Sequence, residues 1–505
     1  MTTAATRSGA QVRTLGRLLA GLVPAAALRP HAERVISGIT DDSRRATPGA
    51  LFVAQRGSAT DGRRFVADAV RRGAAVVLGE DLEPVSGVLV FSVPDARAAL
   101  ATLAARWHDV EGAGLTGFRL AGITGTNGKS TSAYMAQAIL RTAGLKCGLL
   151  GTVQYDLCGR TVAADMTTPG PLELAGYVRE CLDRGADCAV MEVSSHALDQ
   201  KRTDGLRFAA AAFTNLTGDH LDYHRTPEAY RAAKARLFTG LDPAAVAVVN
   251  RDDPAHAAMV AECRARVVTF GLDGPADIAA RITRSTSRGT AYTLRIAGRE
   301  LELENALVGR HNVYNALTAA GLAGALGVAP DAIAAGLSQV RSVPGRLQRV
   351  PCASPADVFV DYAHTDDALR NVLSVLRPLT TGRLICVFGC GGDRDRTKRP
   401  RMARVVAEYA DRIWVTSDNP RGEDPEAIIA EVLAGFDAAA RPKVRTEVDR
   451  AVAIRAALAA AGPGDVVLLA GKGHETYQII GAERVPFDDA QEAMRAAEEL
   501  RRAHS

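Results

Sequence analysis

The chain has 505 residues, which is too long for one compact core, so we expect roughly two to four domains. Its 61 basic and 57 acidic residues give a net charge of +4, and no basic tract interleaved with aromatic residues indicates a nucleic-acid partner. The sequence has no apolar run of about 18 residues and no signal-peptide core near its start, so neither a membrane span nor export is predicted.

The eight cysteines form no C-x-x-C pair, and several lie in apolar segments such as DCAVMEV and RLICVFG. Buried free thiols are therefore expected in place of a disulfide framework. This pattern is typical of a reducing compartment and predicts a cytoplasmic location.

Short apolar runs alternate with helical stretches rich in Ala, Leu and Arg, which is the pattern of α/β domains with parallel sheets. We divide the chain into residues 1–115, 116–343 and 344–505, with Pro344-Gly345 as the hinge between the second and third. Polar residues follow nearly every predicted strand, where ligands bind in such sheets, and this favours an enzyme. The predicted strands lie in GALFVAQRG, AAVVLGE, GVLVFSV, FRLAGIT, CAVMEV, AAAFTNL, AVAVVN, RVVTFGL, DVFVDYAH, RLICVFGCGG, RIWVTSDNP and DVVLLAGKGHE.

The stretch AGITGTNGKSTSAYM is close to the phosphate-binding pattern G-x-x-x-x-G-K-[ST], but its first glycine, Gly122, stands one place too early. A buried strand precedes the loop, and a helix follows it and ends at Gly144, so backbone N–H groups at the helix start would form an anion site. Lys129 would reach the β- and γ-phosphates of a nucleotide, and Ser130 could bind Mg²⁺. The structural alternative is a glycine-rich turn without a ligand.

Two further polar clusters follow predicted strands of the central segment. Glu192 ends the apolar run of DCAVMEVSSHAL, where a buried carboxylate is costly unless it is paired or binds a metal. In TGDHLDYH, two acidic residues and two histidines at i, i+4 would suit a zinc hydrolase, whereas the phosphate loop favours Mg²⁺. Its members are Asp219, His220, Asp222 and His224.

Thr226 and Pro227 are expected at the N-cap and first position of the next helix. On that helix, Lys234 lies among alanines, Leu237 and Phe238. It could extend along an apolar face with its ammonium in water. If desolvated, it would have a lowered pKa and could react with carbon dioxide.

Seven motifs occur in order across the central and third segments and together resemble the Mur ligase family, which builds the peptide of bacterial cell-wall precursors. They are GTNGKS, MEVSSHALDQKR, FTNLTGDHLDYH, AYRAAKARLF, GRHNVYNALTA, VPGRLQ and DYAHTDDAL. The resemblance covers about residues 38–480. The displaced loop is the family's own form, G-T-N-G-K-[ST]. The resemblance implies an α/β protein of three domains: a smaller N-terminal α/β domain that binds a UDP-muramoyl substrate, a central P-loop-type mononucleotide-binding parallel sheet, and a C-terminal Rossmann-like domain that binds an amino acid.

The resemblance also implies a mechanism. ATP phosphorylates a substrate carboxylate, an amine attacks the acyl phosphate, and phosphate leaves. Mg²⁺ would be held by Ser130, Glu192, His220 and carbamylated Lys234, and catalysis would depend on the last three together with Lys129. The implied ATP-binding residues are Gly125, Thr126, Asn127, Gly128, Lys129, Ser130, Thr131, Asn312, Arg346 and Asp361.

The first segment, with ITDDSRRATPGALFVAQRGSATDG, resembles the uridine-nucleotide domain of the family member that adds the third amino acid. The implied substrate is UDP-N-acetylmuramoyl-L-alanyl-D-glutamate. Paired hydroxyls and an arginine suit such an anionic, oxygen-rich molecule. The matching positions are Asp41, Ser43, Ser58, Ala59, Thr60, Thr167, Thr168, Ser195, Gln200 and Arg202.

In the third segment, TSDNPRGEDP contains the D-N-P-R motif of ligases that add meso-diaminopimelate. Arg421 could fork onto the distal carboxylate, which L-lysine lacks. The full implied set is Arg394, Asp418, Asn419, Pro420, Arg421, Gly471 and Glu475. Asp366 departs from the proline common in the family, and we expect only a modest change of the loop there.

Two other functions fit part of the sequence. A folylpolyglutamate synthetase would share the central architecture but would not need the uridine motif or D-N-P-R. A nucleotide-switched binding protein would hold or hydrolyse ATP without joining substrates. We expect a ligase that acts as a monomer, with no nucleic-acid or membrane partner.

Overall fold

The computed structural model describes residues 13–57, 60–218 and 220–503. Chain contacts divide it into two compact units. The first unit comprises Met1–Lys129, Gly144–Thr269 and Gly321–Val328 as far as they are described, and the second comprises Ser130–Ala143, Phe270–Ala320 and Ala329–Ser505. Within the described ranges, no helix has the length and apolarity needed to cross a membrane.

The first segment forms a four-stranded parallel sheet in the order β1-β2-β3-β4. Its strands are β1 (Ile39–Thr40), β2 (Leu51–Ala54), β3 (Val76–Gly79) and β4 (Leu89–Ser92). Its helices are α1 (Leu15–Leu19), α2 (Ala25–Leu28), α3 (Val66–Arg71) and α4 (Ala96–Trp107). The two middle strands are buried along their whole length, which explains their continuous apolar runs.

The described residues of the central segment form eleven strands and eight helices. The strands are β5 (Arg119–Thr124), β6 (Cys147–Leu150), β7 (Gln154–Asp156), β8 (Thr161–Ala163), β9 (Cys188–Glu192), β10 (Ala210–Phe213), β11 (Val246–Asn250), β12 (Arg266–Gly271), β13 (Ile278–Thr286), β14 (Gly289–Ile296) and β15 (Arg299–Asn305). The helices are α5 (Lys129–Thr142), α6 (Pro171–Asp183), α7 (Ser195–Asp199), α8 (Leu221–His224), α9 (Pro227–Thr239), α10 (His256–Met259), α11 (Arg310–Ala325) and α12 (Pro330–Gln339).

Within the first unit, β11-β10-β5-β9-β6 are parallel neighbours, and β7 and β8 extend the sheet antiparallel. The loops after β5, β9 and β10 therefore leave the same edge of the sheet, side by side. These are the loops that carry the phosphate motif, Glu192 and TGDHLDYH. In the second unit, β13, β14 and β15 form an antiparallel meander.

The C-terminal segment has a sheet in the order β16-β17-β21-β18-β19-β20, parallel except for β16, and a separate hairpin β22-β23. The strands are β16 (Gln348–Val350), β17 (Asp357–Asp361), β18 (Leu384–Phe388), β19 (Arg412–Val415), β20 (Val444–Thr446), β21 (Val466–Ala470), β22 (Tyr477–Ile480) and β23 (Glu483–Pro486). The helices are α13 (Asp366–Leu376), α14 (Lys398–Tyr409), α15 (Pro425–Leu433), α16 (Arg450–Ala459) and α17 (Asp489–Ala503).

The α/β class with parallel sheets and every strand predicted from an apolar run are confirmed. Helix α5 ends two residues before Gly144, and Thr226 caps α9 with Pro227 at its first position, as expected. All eight cysteines lie within the described ranges and are free, and six of them are buried.

A buried ion pair joins the first turns of α16 and α17. Arg450 donates to both carboxylate oxygens of Asp489 (2.7 and 2.6 Å), and neither side chain is exposed. We expect Asp489→Asn to lower the free energy of unfolding by about 3 kcal/mol, because the guanidinium stays buried without its counter-charge. Denaturant unfolding measures this, and Glu499→Gln on the same helix, which breaks an exposed pair with Arg455, is the matched control. Equal midpoints for the two variants would contradict the expectation.

Candidate active site

The loop between β5 and α5 is fastened to the end of β10. Gly125 has φ +145°, and a Cβ there would lie 1.9 Å from Thr214 Oγ1, so only glycine fits. The Thr126 N–H donates to the Asn215 carbonyl (2.8 Å), and the Asn127 N–H donates to Asn215 Oδ1 (3.0 Å). The sequence FTN after β10 therefore shapes the phosphate motif, a role that the sequence analysis missed.

Two lysine ammonium groups lie at this loop. Lys129 Nζ donates to the carbonyls of Gly125 (2.9 Å) and Thr126 (2.8 Å). Lys234 Nζ donates to the same Gly125 carbonyl (2.8 Å), and its side chain is only 1% exposed. The loop thus combines the N-terminus of α5 with two cations, an arrangement that attracts a polyanion.

The Tyr230 side chain connects the loop to the histidines. Its hydroxyl lies 3.1 Å from Thr126 Oγ1, and the Lys234 ammonium lies 4.4 Å from its ring centroid. The His220 ring is 6.2 Å from that centroid. The structure therefore brings His220 and Lys234 to one tyrosine, and Tyr230 itself was not predicted although it lies in AYRAAKARLF.

His220, His224 and His196 form a cluster of imidazole rings, with His196 4.8 Å from His220 and 5.5 Å from His224 between centroids. Burial and the two neighbouring rings lower the pKa of His196 to about 4. Asp219, named with this cluster above, lies outside the described residues. Among the residues that are described, no group of three or more His, Cys, Asp or Glu side chains is placed to hold a metal.

Glu192 is 1% exposed at the end of β9. Its Oε1 accepts from the Thr152 N–H (2.9 Å), and its Oε2 accepts from the Thr152 hydroxyl (3.0 Å). The Thr152 hydroxyl also lies 3.0 Å from Thr167 Oγ1. Thr152 was not predicted because it stands in no motif; only its position after β6, next to β9, could have indicated it.

The residues expected to hold the muramoyl dipeptide surround Glu192. Thr168 Oγ1 donates to the Glu192 carbonyl (2.8 Å), and Arg202 Nη1 donates to the Thr168 carbonyl (2.8 Å). Arg202 also donates to Gln200 Oε1 (2.7 Å). The Ser195 hydroxyl is buried and has no hydrogen-bond partner in the described part of the chain, so it is open to a ligand.

The uridine-nucleotide set is only partly described. Asp41 Oδ2 accepts from Gln55 Nε2 (2.9 Å), and burial raises the pKa of Asp41. Ser43, two residues after Asp41 in the sequence, is buried, and Thr60 is exposed. Ser58 and Ala59 lie outside the described residues.

In the second unit, three predicted ATP residues lie near the start of α5. Arg346 Nη2 donates to Ser130 Oγ (3.3 Å). Asn312 accepts from Asn315 Nδ2 (2.9 Å), and Ser132 of α5 lies 3.4 Å from the Asn315 amide oxygen. Ser130 as a magnesium ligand stays a prediction.

Asp361, at the end of β17, holds the chain segment that follows Pro344-Gly345. Its oxygens accept from the N–H groups of Leu347 (2.6 Å) and Ala363 (2.8 Å). Burial raises the pKa of Asp361, and the nearby Arg346 opposes that rise. Asp366 lies five residues further along the chain, at the first position of α13, where the resemblance led us to expect a proline. It pairs with Arg401 of α14 (3.3 Å), and Thr365 caps the helix normally.

The predicted diaminopimelate residues meet where β18, β19 and β21 end. Asn419 Nδ2 donates to Glu475 Oε2 (2.8 Å), and a Cβ on Gly471 would lie 2.5 Å from Asp418 Oδ2. Arg421 is held in the left-handed region (φ +52°) by backbone bonds with the β22-β23 hairpin. The guanidiniums of Arg394 and Arg421 donate to loop carbonyls, and neither forms an ion pair with any described residue.

Comparison with known proteins matches three parts of the chain to domain families. Residues 35–108 match "Mur ligase family, catalytic domain", residues 123–323 match "Mur ligase middle domain", and residues 345–473 match "Mur ligase, glutamate ligase domain". The matches cover the sheets that carry the uridine motif, the phosphate loop and the D-N-P-R turn.

Full-length relatives are similar to the chain. A protein from Geobacter sulfurreducens named "UDP-N-acetylmuramoyl-L-alanyl-D-glutamate--2,6-diaminopimelate ligase" is 45% identical over 499 residues, covering 95% of this chain and 97% of its own. A protein of the same name from Bacillus licheniformis is 42% identical over 472 residues, covering 92% and 95%. A solved structure under that name aligns with a TM-score of 0.71 and 32% identity, covering 97% and 100%.

Proposed function

The chain belongs to the Mur ligase family, and from this premise we propose that it joins meso-diaminopimelate to UDP-N-acetylmuramoyl-L-alanyl-D-glutamate at the expense of ATP. The relatives named for this reaction match nearly the whole chain, including all three domains. The observation that carries the choice of amino acid is the cluster of Arg394, Asn419, Arg421 and Glu475 at the strand ends of the C-terminal sheet. The product is a precursor of peptidoglycan.

The proposed reaction has two steps. The γ-phosphoryl group of ATP moves to the side-chain carboxylate of D-glutamate, which gives an acyl phosphate and ADP. The amine of the amino acid then attacks the acyl carbon, an amide bond forms, and phosphate leaves with the bonding electrons of the C–O bond. Lys129 and the N–H groups of residues 128–131 would bind the phosphates and stabilise the charge that spreads over the transferred group.

The residues of the first unit fit a magnesium ion. Glu192 offers a buried carboxylate held by Thr152, and His220 lies near Lys234 around the Tyr230 ring. A carbamate on Lys234, as the family resemblance implies, would supply a further anionic oxygen ligand. The ion, when bound, would neutralise phosphate charge during transfer.

The C-terminal cluster suits both distal groups of meso-diaminopimelate. Arg421 would bind the distal carboxylate in a bidentate, charge-assisted pair, and Arg394 would add positive charge nearby. Glu475, held by Asn419, would pair with the distal ammonium. L-lysine lacks the distal carboxylate, so it would leave Arg421 desolvated and without its anion.

We predict that Arg421→Ala raises the Michaelis constant for meso-diaminopimelate about 30-fold or more and leaves that for ATP within twofold, because a bidentate ion pair is worth about 2–4 kcal/mol. Steady-state kinetics with meso-diaminopimelate and L-lysine, on wild type and variant, measure this. The wild-type panel also tests the function itself. A wild type that prefers L-lysine, or an Arg421→Ala enzyme with unchanged diaminopimelate kinetics, would overturn the assignment of the amino acid.

The alternatives separate in the same assay. A folylpolyglutamate synthetase would release ADP with a folate and glutamate, and a nucleotide-switched protein would release it without an amine.

We also propose that residues 1–115, 116–343 and 344–505 bind the UDP substrate, ATP and the amino acid, respectively. We further propose that the enzyme acts as a monomer in the cytoplasm, where ATP and nucleotide-activated sugars are available.

A further inference from the structure

Arg399, on α14, is a fully buried arginine (0% exposed) directly behind the D-N-P-R turn. Its two terminal nitrogens donate to the two carboxylate oxygens of Glu423 (2.9 and 2.9 Å). Nη1 also donates to Glu431 Oε2 of α15 (2.8 Å). A guanidinium is costly to bury, and this one is balanced by two carboxylates that are themselves only partly exposed.

Glu423 links two loops of the diaminopimelate cluster. It follows the D-N-P-R turn by two residues, and its Oε1 accepts from the Asp393 N–H of the loop after β18 (2.6 Å). Arg399 Nη2 lies 3.3 Å from the Gly391 carbonyl of that same loop. Asp393 Oδ2 in turn accepts from the Gly422 N–H (3.0 Å). Arg399 and Glu423 therefore clamp the loop after β18 to the turn after β19.

The two loops touch through their backbones, so their spacing has little tolerance. The Gly392 N–H donates to the Asn419 carbonyl (2.9 Å), and a Cβ on Gly392 would lie 1.9 Å from the Pro420 carbonyl oxygen. Arg421 Nη1 rests on the Gly392 carbonyl (2.9 Å). The position of the Arg421 guanidinium thus depends on where the loop after β18 lies, and that loop also carries Arg394.

We propose that Arg399 is a positioning residue for amino-acid selection: through Glu423 it fixes the distance between the two ligand-binding arginines, Arg394 and Arg421. The inference rests on the function proposed above. Arg399 itself is enclosed and does not reach the substrate. Its loss would displace Arg421 and Arg394 relative to each other, and a displacement of about 1 Å in a binding site can cost about a hundredfold in activity.

Two single variants test the proposal. Arg399→Lys keeps the charge but cannot reach Glu423 and Glu431 as a fork, and Glu423→Gln keeps the shape but removes the charge. We expect each to raise the Michaelis constant for meso-diaminopimelate about tenfold or more and to leave those for ATP and the UDP-dipeptide within about twofold. The ratio of kcat/KM for meso-diaminopimelate to that for L-lysine should fall by a similar factor. Arg396→Met is the matched control, because Arg396 pairs with the same Glu431 from an exposed position.

The outcomes separate the inference from the proposed function. A wild type that does not use meso-diaminopimelate refutes the function. A wild type that prefers it, with folded Arg399→Lys and Glu423→Gln enzymes whose Michaelis constants and selectivity ratio are unchanged, refutes the positioning role. A purely structural role would lower Tm and kcat without changing the selectivity ratio, which also refutes it. If Arg399→Lys does not fold, Glu423→Gln alone decides between these results.

Discussion

Replacing Lys129 with alanine should lower the rate of ligation about a hundredfold to a thousandfold while leaving the protein folded. The ammonium, at the start of α5, donates hydrogen bonds to the carbonyls of Gly125 and Thr126. It can therefore donate to phosphate oxygens instead, without a change of the backbone. A fixed cation at the site of phosphoryl transfer stabilises charge in a place from which water is excluded, and losing one such group costs about 3–4 kcal/mol. Release of ADP that depends on both the dipeptide substrate and the amino acid is the measurement.

Lys146→Ala is the control for this variant. Lys146 is an exposed lysine between α5 and β6, and its ammonium donates to the Arg184 carbonyl. It should turn over at the wild-type rate with an unchanged Tm. Near-normal ligation by Lys129→Ala, or an equal loss of ligation in Lys146→Ala, would contradict the proposal that the loop binds the phosphates of ATP.

Most of the strands that could be predicted from sequence are largely buried. β9, β10, β18 and β21 are buried at every position, so each appears in the sequence as an uninterrupted apolar run. The meander β13-β14-β15 was not predicted, because charged residues such as Arg281 and Glu302 interrupt it. β13 and β15 have many exposed positions, and the alternation in β13 is broken by a bulge between Ile282 and Arg284.

The residues of the candidate site also fall into those that could be predicted from sequence and those that could not. Residues inside contiguous motifs, such as Lys129, Glu192 and Arg421, could be predicted because their chemistry is tied to a local sequence pattern. Thr152 and Glu423 could not, because each acts through a contact with a residue about 30 to 40 positions away in the chain. Such contacts follow from the order of strands in the sheet, which the sequence pattern alone does not determine.

Lys234 is the second residue whose replacement should strongly lower the rate of ligation. The Lys234 amine is 1% exposed, and only a neutral amine reacts with carbon dioxide. The amine adds to the carbon of carbon dioxide and loses a proton, which gives a carbamate. Its nitrogen keeps one N–H, enough for the bond to the Gly125 carbonyl (2.8 Å), while its two oxygens are free to bind a cation. The modification thus preserves the observed contact and reverses the charge.

Lys234→Ala should therefore lose about a thousandfold or more of the ligation rate, because the proposed metal site would lose an anionic oxygen ligand. Formate or acetate in excess should restore part of that activity to the alanine variant by supplying a carboxylate in the space left by the side chain. Lys234→Arg is the matched control, since it keeps a cation of similar length that cannot form a carbamate, and it should be as inactive as the alanine variant. Carbon-13 NMR with labelled carbon dioxide should show a carbamate resonance in wild type that is missing from both variants. An active Lys234→Arg enzyme, or a fully active wild type without that resonance, would show that the position serves as a cation and that the carbamate is not used.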